Sequence, residues 1–159
     1  NAATWQVDMT KPGILTHDAL IKTLENAVKN NPKTIFIACH LANTNSDLSM
    51  LGRLFDLYPN LYADIAARFG EFAPIPRYTR AFFEKYADKI VYGTDMGFDK
   101  EMYQTTFRIL ETADEHFYDH QLFSYHWALY GLNLNDATLK KIYSTNGKKI
   151  LNHSKQNKL

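Results

Sequence analysis

Three short apolar runs, Thr34–Cys39, Leu61–Ile65 and Ile90–Gly93, are spaced so that a helix fits between each pair. They are rich in β-branched and aromatic residues, and each is short enough for a strand buried on both faces. The intervals carry helical stripes. Thr16 to Val28 places Leu20, Leu24, Ala27 and Val28 on one line and stops at Asn30-Asn31-Pro32. Ser46 is positioned as the N-cap of a helix with Leu48, Leu51, Phe55 and Tyr58 on one face. A loop with Gly70, Pro74 and Pro76 leads to a helix over 79–87 carrying Phe82, Phe83 and Tyr86. Asp99 caps a helix with Tyr103, Phe107, Leu110 and Phe117, and Leu139, Ile142 and Tyr143 mark another. Asn146 is placed to cap a short final helix. Strands that alternate with helices in this way make an α/β fold whose parallel sheet is covered on both faces.

Such sheets bind ligands beyond the carboxyl ends of their strands. There the chain delivers His40 after the first strand, Asp64 to Arg68 at the second and Asp95 after the third. Period-two alternation groups Phe36, Ala38 and His40 on one face, and Val91, Gly93 and Asp95 on one face. The small residues Ala38 and Gly93 leave space beside the two ionisable side chains. A carboxylate at the end of an apolar strand is costly to desolvate without a partner. Three readings of Asp95 stand: it shares a divalent ion with His40, it holds His40 or a water in acid–base chemistry, or it caps the backbone at Gly97 or Phe98.

The remaining composition narrows the class. At 159 residues and 45% hydrophobic, the chain suits a single domain, 1–159, with an extended lead-in over 1–15 and a polar tail over 155–159. A net charge of +1, without a basic stripe, argues against nucleic-acid binding, and no apolar run reaches membrane-spanning length. The one cysteine, Cys39, excludes an internal disulfide and a thiolate metal cluster. Alternation directs its thiol away from His40, into the layer between strand and helix. The chain opens Asn-Ala-Ala-Thr, so either a leader has been removed or the sequence starts within something longer. The compartment stays undetermined.

The segments IFIACHLAN, LYADIAAR, KIVYGTDM, WALYGLNLNDATLKKIYSTN and KKIL resemble the last third to half of an amidohydrolase-related metal-dependent hydrolase. The resemblance implies the C-terminal part of a TIM-like (β/α)8 barrel, with about three parallel strands alternating with helices and then C-terminal helices. It identifies the strand ending in Gly-Thr-Asp with the eighth barrel strand, whose aspartate is a metal ligand or proton acceptor. The strand ending in Ala-Cys-His is similar to the sixth, whose histidine binds a metal or acts as base. His40 and Asp95 are thus the implied catalytic and metal-binding residues, for a divalent metal such as zinc or manganese. The implied reaction is hydrolysis of an amide, ester or lactone bond of a small-molecule substrate, with decarboxylation as a variant.

The family's His-x-His is missing here, and a whole barrel takes ~250 residues. The expectation is therefore a fragment whose remaining ligands lie on a missing N-terminal barrel half: an enzyme in the full-length parent, inactive alone. Open sheet edges near Thr34 and Ile90 would lead the isolated chain to self-associate or pair with that half, and to bind zinc weakly or not at all. The competing class is a non-catalytic α/β domain binding a small molecule or a partner protein at the same rim.

Other residues have two readings each. Arg68 is a bidentate clamp for an anionic substrate group or a surface partner of Glu71. Asp64 reads as a structural hydrogen-bonding carboxylate. His116 and His120 have the i, i+4 spacing of a helical ligand pair but lack the intervening glutamate of HExxH, and read as a solvated helix end. His126-Trp127 is part of a lid or packs against the barrel.

Overall fold

The computed structural model describes residue 8, residues 10–120 and residues 125–156. Of the expected lead-in over 1–15, residues 1–7 and 9 lie outside them, as do residues 157–159 of the expected tail. The elements run α1 (His17–Asn30), β1 (Phe36–Ala38), a turn (Cys39–Asn43), α2 (Leu48–Leu57), β2 (Leu61–Asp64), α3 (Phe69–Phe72), α4 (Pro76–Lys85), β3 (Ile90–Val91) and α5 (Lys100–Glu111). After an irregular stretch come α6 (Asp136–Lys140), a π-helical segment (Lys141–Thr145) and α7 (Asn146–Gln156). The three strands form one parallel sheet in the order β1-β2-β3. The mixed α/β class and the parallel sheet therefore match the sequence reading, but the expected cover on both faces does not, since β1 turns Ile37 outward to solvent. Register pairs Ala38 with Ala63 and Ala63 with Ile90, three side chains buried together on the helix-covered face.

The helices pack apolar stripes onto that face, but two begin or face differently from expectation. In α1 the buried line is Ile21, Glu25 and Val28, while Leu20 is 54% exposed. Glu25 tolerates burial because Arg53, Lys22 and Tyr58 all donate hydrogen bonds to its carboxylate. A stripe drawn only through apolar residues cannot find that phase. Helix α2 is capped by Asp47 rather than Ser46, because the Asp47 carboxylate accepts from the Ser49 amide at 2.9 Å. Phe69, Phe72 and Phe83 fill the centre of the core, with ring centroids 5.3 Å apart in both Phe69–Phe72 and Phe72–Phe83.

The Arg53 hydrogen bond above all holds the Glu25 carboxyl down to about 2. Its contribution to stability is complete above the unfolded pKa of ~4.3 and is lost as pH falls from there to about 2. Glu25→Gln should cost roughly 2–3 kcal/mol near neutral pH. Urea unfolding should show that gap shrinking through this acid window. A gap that stays constant down to acid pH would contradict the assignment.

Helix α5 ends at Glu111, short of the expected Phe117, because the returning chain takes up its last carbonyls. The Leu132 amide donates to Ile109 and the Leu134 amide to Leu110, at 2.7 and 3.1 Å. At the C-terminus, Asn146 is not a cap. It lies inside a continuous helical run, 1% exposed, and its Nδ2 donates to the carbonyls of Ala87 and Ile90, each at 2.7 Å. The π-helical segment leaves the Ile142 carbonyl to accept from the Tyr92 amide at 3.0 Å. Thus the sheet edge near Ile90, expected open, is met by the C-terminal helices. At the other edge of the sheet, β1 pairs only with β2 among the described residues, and Ile37 is 43% exposed. Among the described residues, no helix is long and apolar enough to cross a membrane.

Candidate active site

The rim at the carboxyl ends of the strands is built from strained loops. Of the eight described non-glycine residues with positive φ, six lie here: His40, Leu41, Ala42, Asn43, Ala67 and Asp95. Left-handed backbone costs an L-residue roughly 1–2 kcal/mol, so a run of four persists only where its surroundings hold it. Four groups hold it here. The Asp64 carboxylate accepts from the His40 amide at 2.8 Å, and Thr44 donates its amide and hydroxyl to the Leu41 carbonyl at 3.0 and 2.8 Å. His17 Nε2 lies 3.0 Å from the Asn43 carbonyl, and Arg68 donates to the Asn43 side chain at 2.6 Å.

That turn corrects the alternation argument. Phe36 and Ala38 share the helix-covered face with Leu61 and Ala63. Continued alternation would send His40 into the same layer, but the strand stops at Ala38 and the left-handed turn re-aims the imidazole over the sheet's end. Cys39, expected in the strand–helix layer, is exposed on the opposite face instead. Partial desolvation, then the negative charges of Asp64 and Asp95 and a hydrogen bond to Asp64, push its thiol up from its ordinary value. A thiol kept protonated is a poor nucleophile.

The structure brings His40 and Asp95 together. His40 Nδ1 lies 2.9 Å from the Ala66 carbonyl. A carbonyl only accepts, so in the neutral ring Nδ1 carries the proton and Nε2 presents a lone pair. Nε2 faces Asp95 Oδ2 at 3.8 Å. The Asp95 side chain is 60% exposed, so its desolvation is slight, contrary to the premise drawn from the apolar strand. The following turn is held by the Thr94 hydroxyl, which bonds both the amide and the carbonyl of Met96. Gly93 lies against this site, where a Cβ would stand 3.5 Å from that of Ala66, whereas Ala38 is buried in register with Ala63.

Arg68 sits on the same rim with both terminal nitrogens engaged, Nη1 donating to Glu71 at 3.1 Å and Nη2 to Asn43 at 2.6 Å. His116 and His120 are not on a helix. His116 lies near the Tyr130 and Tyr118 hydroxyls, and the His120 ring stacks on Tyr118. Trp127 donates its indole N–H to the Gly70 carbonyl at 2.8 Å and stacks on Tyr125. A Cβ at Gly70 would fall 1.8 Å from the Tyr125 ring, so glycine is what admits this aromatic pair. The sequence reading missed the Ala66 carbonyl, Thr44, Asn43 and His17. Only one signal pointed that way: Asp64 accepts from the Ala66 amide two residues on, at 3.1 Å, an Asx turn that an Asp at a strand end favours. Nothing local marks His17, which reaches Asn43 from 26 residues away.

The donor chemistry suits a divalent cation: an imidazole lone pair whose other nitrogen is held by a carbonyl, facing a solvated carboxylate. It is a partial set, because no group of three or more His, Cys, Asp or Glu side chains converges among the described residues. The sequence model of a family described as amidohydrolase matches residues 1–152. No curated protein and no solved structure matches the chain. A family match of that extent takes in every strand and all three rim loops; the chain therefore belongs to the amidohydrolase family, whose members are hydrolases that typically work with divalent metals.

Proposed function

We propose that this chain contributes the His40–Asp95 side of the active site of a metal-dependent hydrolase acting on an amide, ester or lactone bond of a small molecule, with decarboxylation as the variant chemistry. The observation that carries the reading is the tautomer: with Nδ1–H on the Ala66 carbonyl, Nε2 points its lone pair at the Asp95 carboxylate 3.8 Å away. In the neutral ring Nε2 has no proton to give an oxyanion. His40 is therefore a ligand or proton acceptor, not an oxyanion donor. His40 Nε2 and Asp95 would hold a zinc or manganese ion, which when bound acidifies water and polarises the scissile bond.

Asp95 has the exposure to receive a water at its carboxylate. As the water oxygen bonds to the substrate carbonyl carbon, Asp95 would take the proton, and it would pass it to the leaving nitrogen or oxygen as the bond from that atom to the carbonyl carbon breaks. Asp64 fixes the His40 main chain while Ala66 fixes the ring. Arg68 would hold an anionic group of the substrate by exchanging its Asn43 contact for that group.

The three-stranded parallel sheet supports the reading of a partial TIM-like (β/α)8 barrel. The remaining ligands would then come from strands outside this sequence, joined at the edge of β1 that no strand pairs with among the described residues, through which the chain would otherwise self-associate. A second reading, a non-catalytic small-molecule or partner-binding domain, is favoured for the isolated chain by the two-donor set. The test is to assemble the chain with the remaining barrel strands, measure zinc and manganese content, and assay a panel of amides, esters and lactones. Near-stoichiometric metal with hydrolysis supports the proposal; a folded, metal-free and inactive assembly supports the second reading.

A further inference from the structure

One oxygen at this rim ties two loops together. Asp64 Oδ1 accepts from the His40 amide at 2.8 Å and from the Ala66 amide at 3.1 Å. The first bond fixes the entry to the left-handed run His40–Asn43. The second fixes the peptide whose carbonyl, 2.9 Å from Nδ1, decides which nitrogen of the ring carries the proton. Asp64 Oδ1 lies 3.9 Å from Nδ1, so its hold on the ring runs through the two backbone amides rather than a direct bond. The carboxylate is itself held in place at the strand end, its side chain 19% exposed, where β2 pairs with β3 at Asp64–Val91.

We propose that Asp64 is a positioning residue: by bridging the His40 and Ala66 amides it sets the strained turn and the tautomer that present His40 Nε2 to Asp95. The inference uses the His40 geometry on which the proposed function rests, but it needs neither a metal nor a substrate. It is a claim about acceptor geometry rather than charge. An oxygen at Oδ1 is required, and a formal negative charge is not. Asparagine keeps that oxygen; alanine removes it and leaves two amides without their acceptor at a turn whose left-handed residues depend on it.

The test is long-range 1H–15N correlation of the His40 imidazole in the whole chain at a pH where the ring is neutral, for wild type, Asp64→Asn and Asp64→Ala. Wild type and Asp64→Asn should give one Nδ1–H tautomer. Asp64→Ala should give averaged ring nitrogen shifts with a substantial Nε2–H fraction, as an imidazole released from its carbonyl exchanges between tautomers. Retention of a single Nδ1–H tautomer in Asp64→Ala would overturn the proposal. So would an Asp64→Asn spectrum like that of alanine, since charge would then be the operative property.

Should Asp64→Ala fail to fold, hydrogen exchange in the wild-type chain decides. Slowed exchange at both the His40 and Ala66 amides supports the bridge, and free exchange at both overturns it. Because none of these readouts involves catalysis, a protein that proves not to be a hydrolase could still pass, and an active hydrolase could still fail.

Discussion

Replacing Asp95 with asparagine should lower hydrolysis by the assembled enzyme by about a thousandfold or more while leaving its thermal midpoint nearly unchanged. The size follows from the role: removing a general base alone typically costs ~10²–10⁴ in rate, and the same substitution removes an anionic ligand. The unchanged midpoint follows from the surroundings. Asp95 is 60% exposed, and the Met96 turn beside it is tied through Thr94. Its backbone is left-handed, with φ of 61°, a conformation that asparagine tolerates better than most side chains. Asp95→Ala is a poorer probe, because it adds backbone strain to the lost carboxylate. Steady-state kinetics and a melting curve on the same preparation check both halves. Wild-type turnover in folded, metal-loaded Asp95→Asn would reduce the carboxylate to a bystander.

Asn146→Ala should give the largest loss of stability, about 2–5 kcal/mol, because it orphans two buried carbonyls at roughly 1–3 kcal/mol each. The two bonds, both 2.7 Å, run from one buried amide to Ala87 and Ile90 and fasten the C-terminal helices to β3. The strand itself spans only Ile90–Val91, and its outer edge depends on the Ile142 carbonyl from the same helical segment. Loosening this dock should therefore also raise amide exchange at Tyr92. Urea denaturation with hydrogen exchange measures both. A loss under about 0.5 kcal/mol, the level of an ordinary surface substitution, would show that the helices dock without this anchor.

The alternation of apolar runs and helical stripes made the parallel sheet legible, because each strand is largely apolar along its length, although only β2 is buried on both faces and β1 exposes Ile37. So did the rim, since His40, Asp64 and Asp95 each follow a strand. What alternation could not supply was direction. Extended backbone predicts that His40 follows Ala38, and the left-handed turn that begins at His40 overrode this; Cys39 still opposes Ala38, but the face it takes is the exposed one rather than the strand–helix layer. Nothing in CHLAN announces positive φ at four non-glycine residues, because the turn is imposed by partners distant in sequence: Asp64, Arg68 and His17. Glu25 was passed over and Asn146 misplaced for a related reason. Each is polar and buried, and its partners come from other elements. The orienting atom of the site, the Ala66 carbonyl, belongs to the backbone and carries no sequence signature.

The central claim is that a divalent ion is held between His40 and Asp95, and paramagnetic mapping with Mn2+ tests it most directly. Even a weak site acts within a short radius, so substoichiometric Mn2+ added to the chain should first extinguish the amide signals of His40, Asp64 and Asp95. His116 and His120, which face Tyr130 and Tyr118 instead, should keep theirs, and Asp95→Asn should restore the signals at the rim. Uniform broadening, or loss beginning at His116 and His120 while His40 and Asp95 stay sharp, would contradict the account.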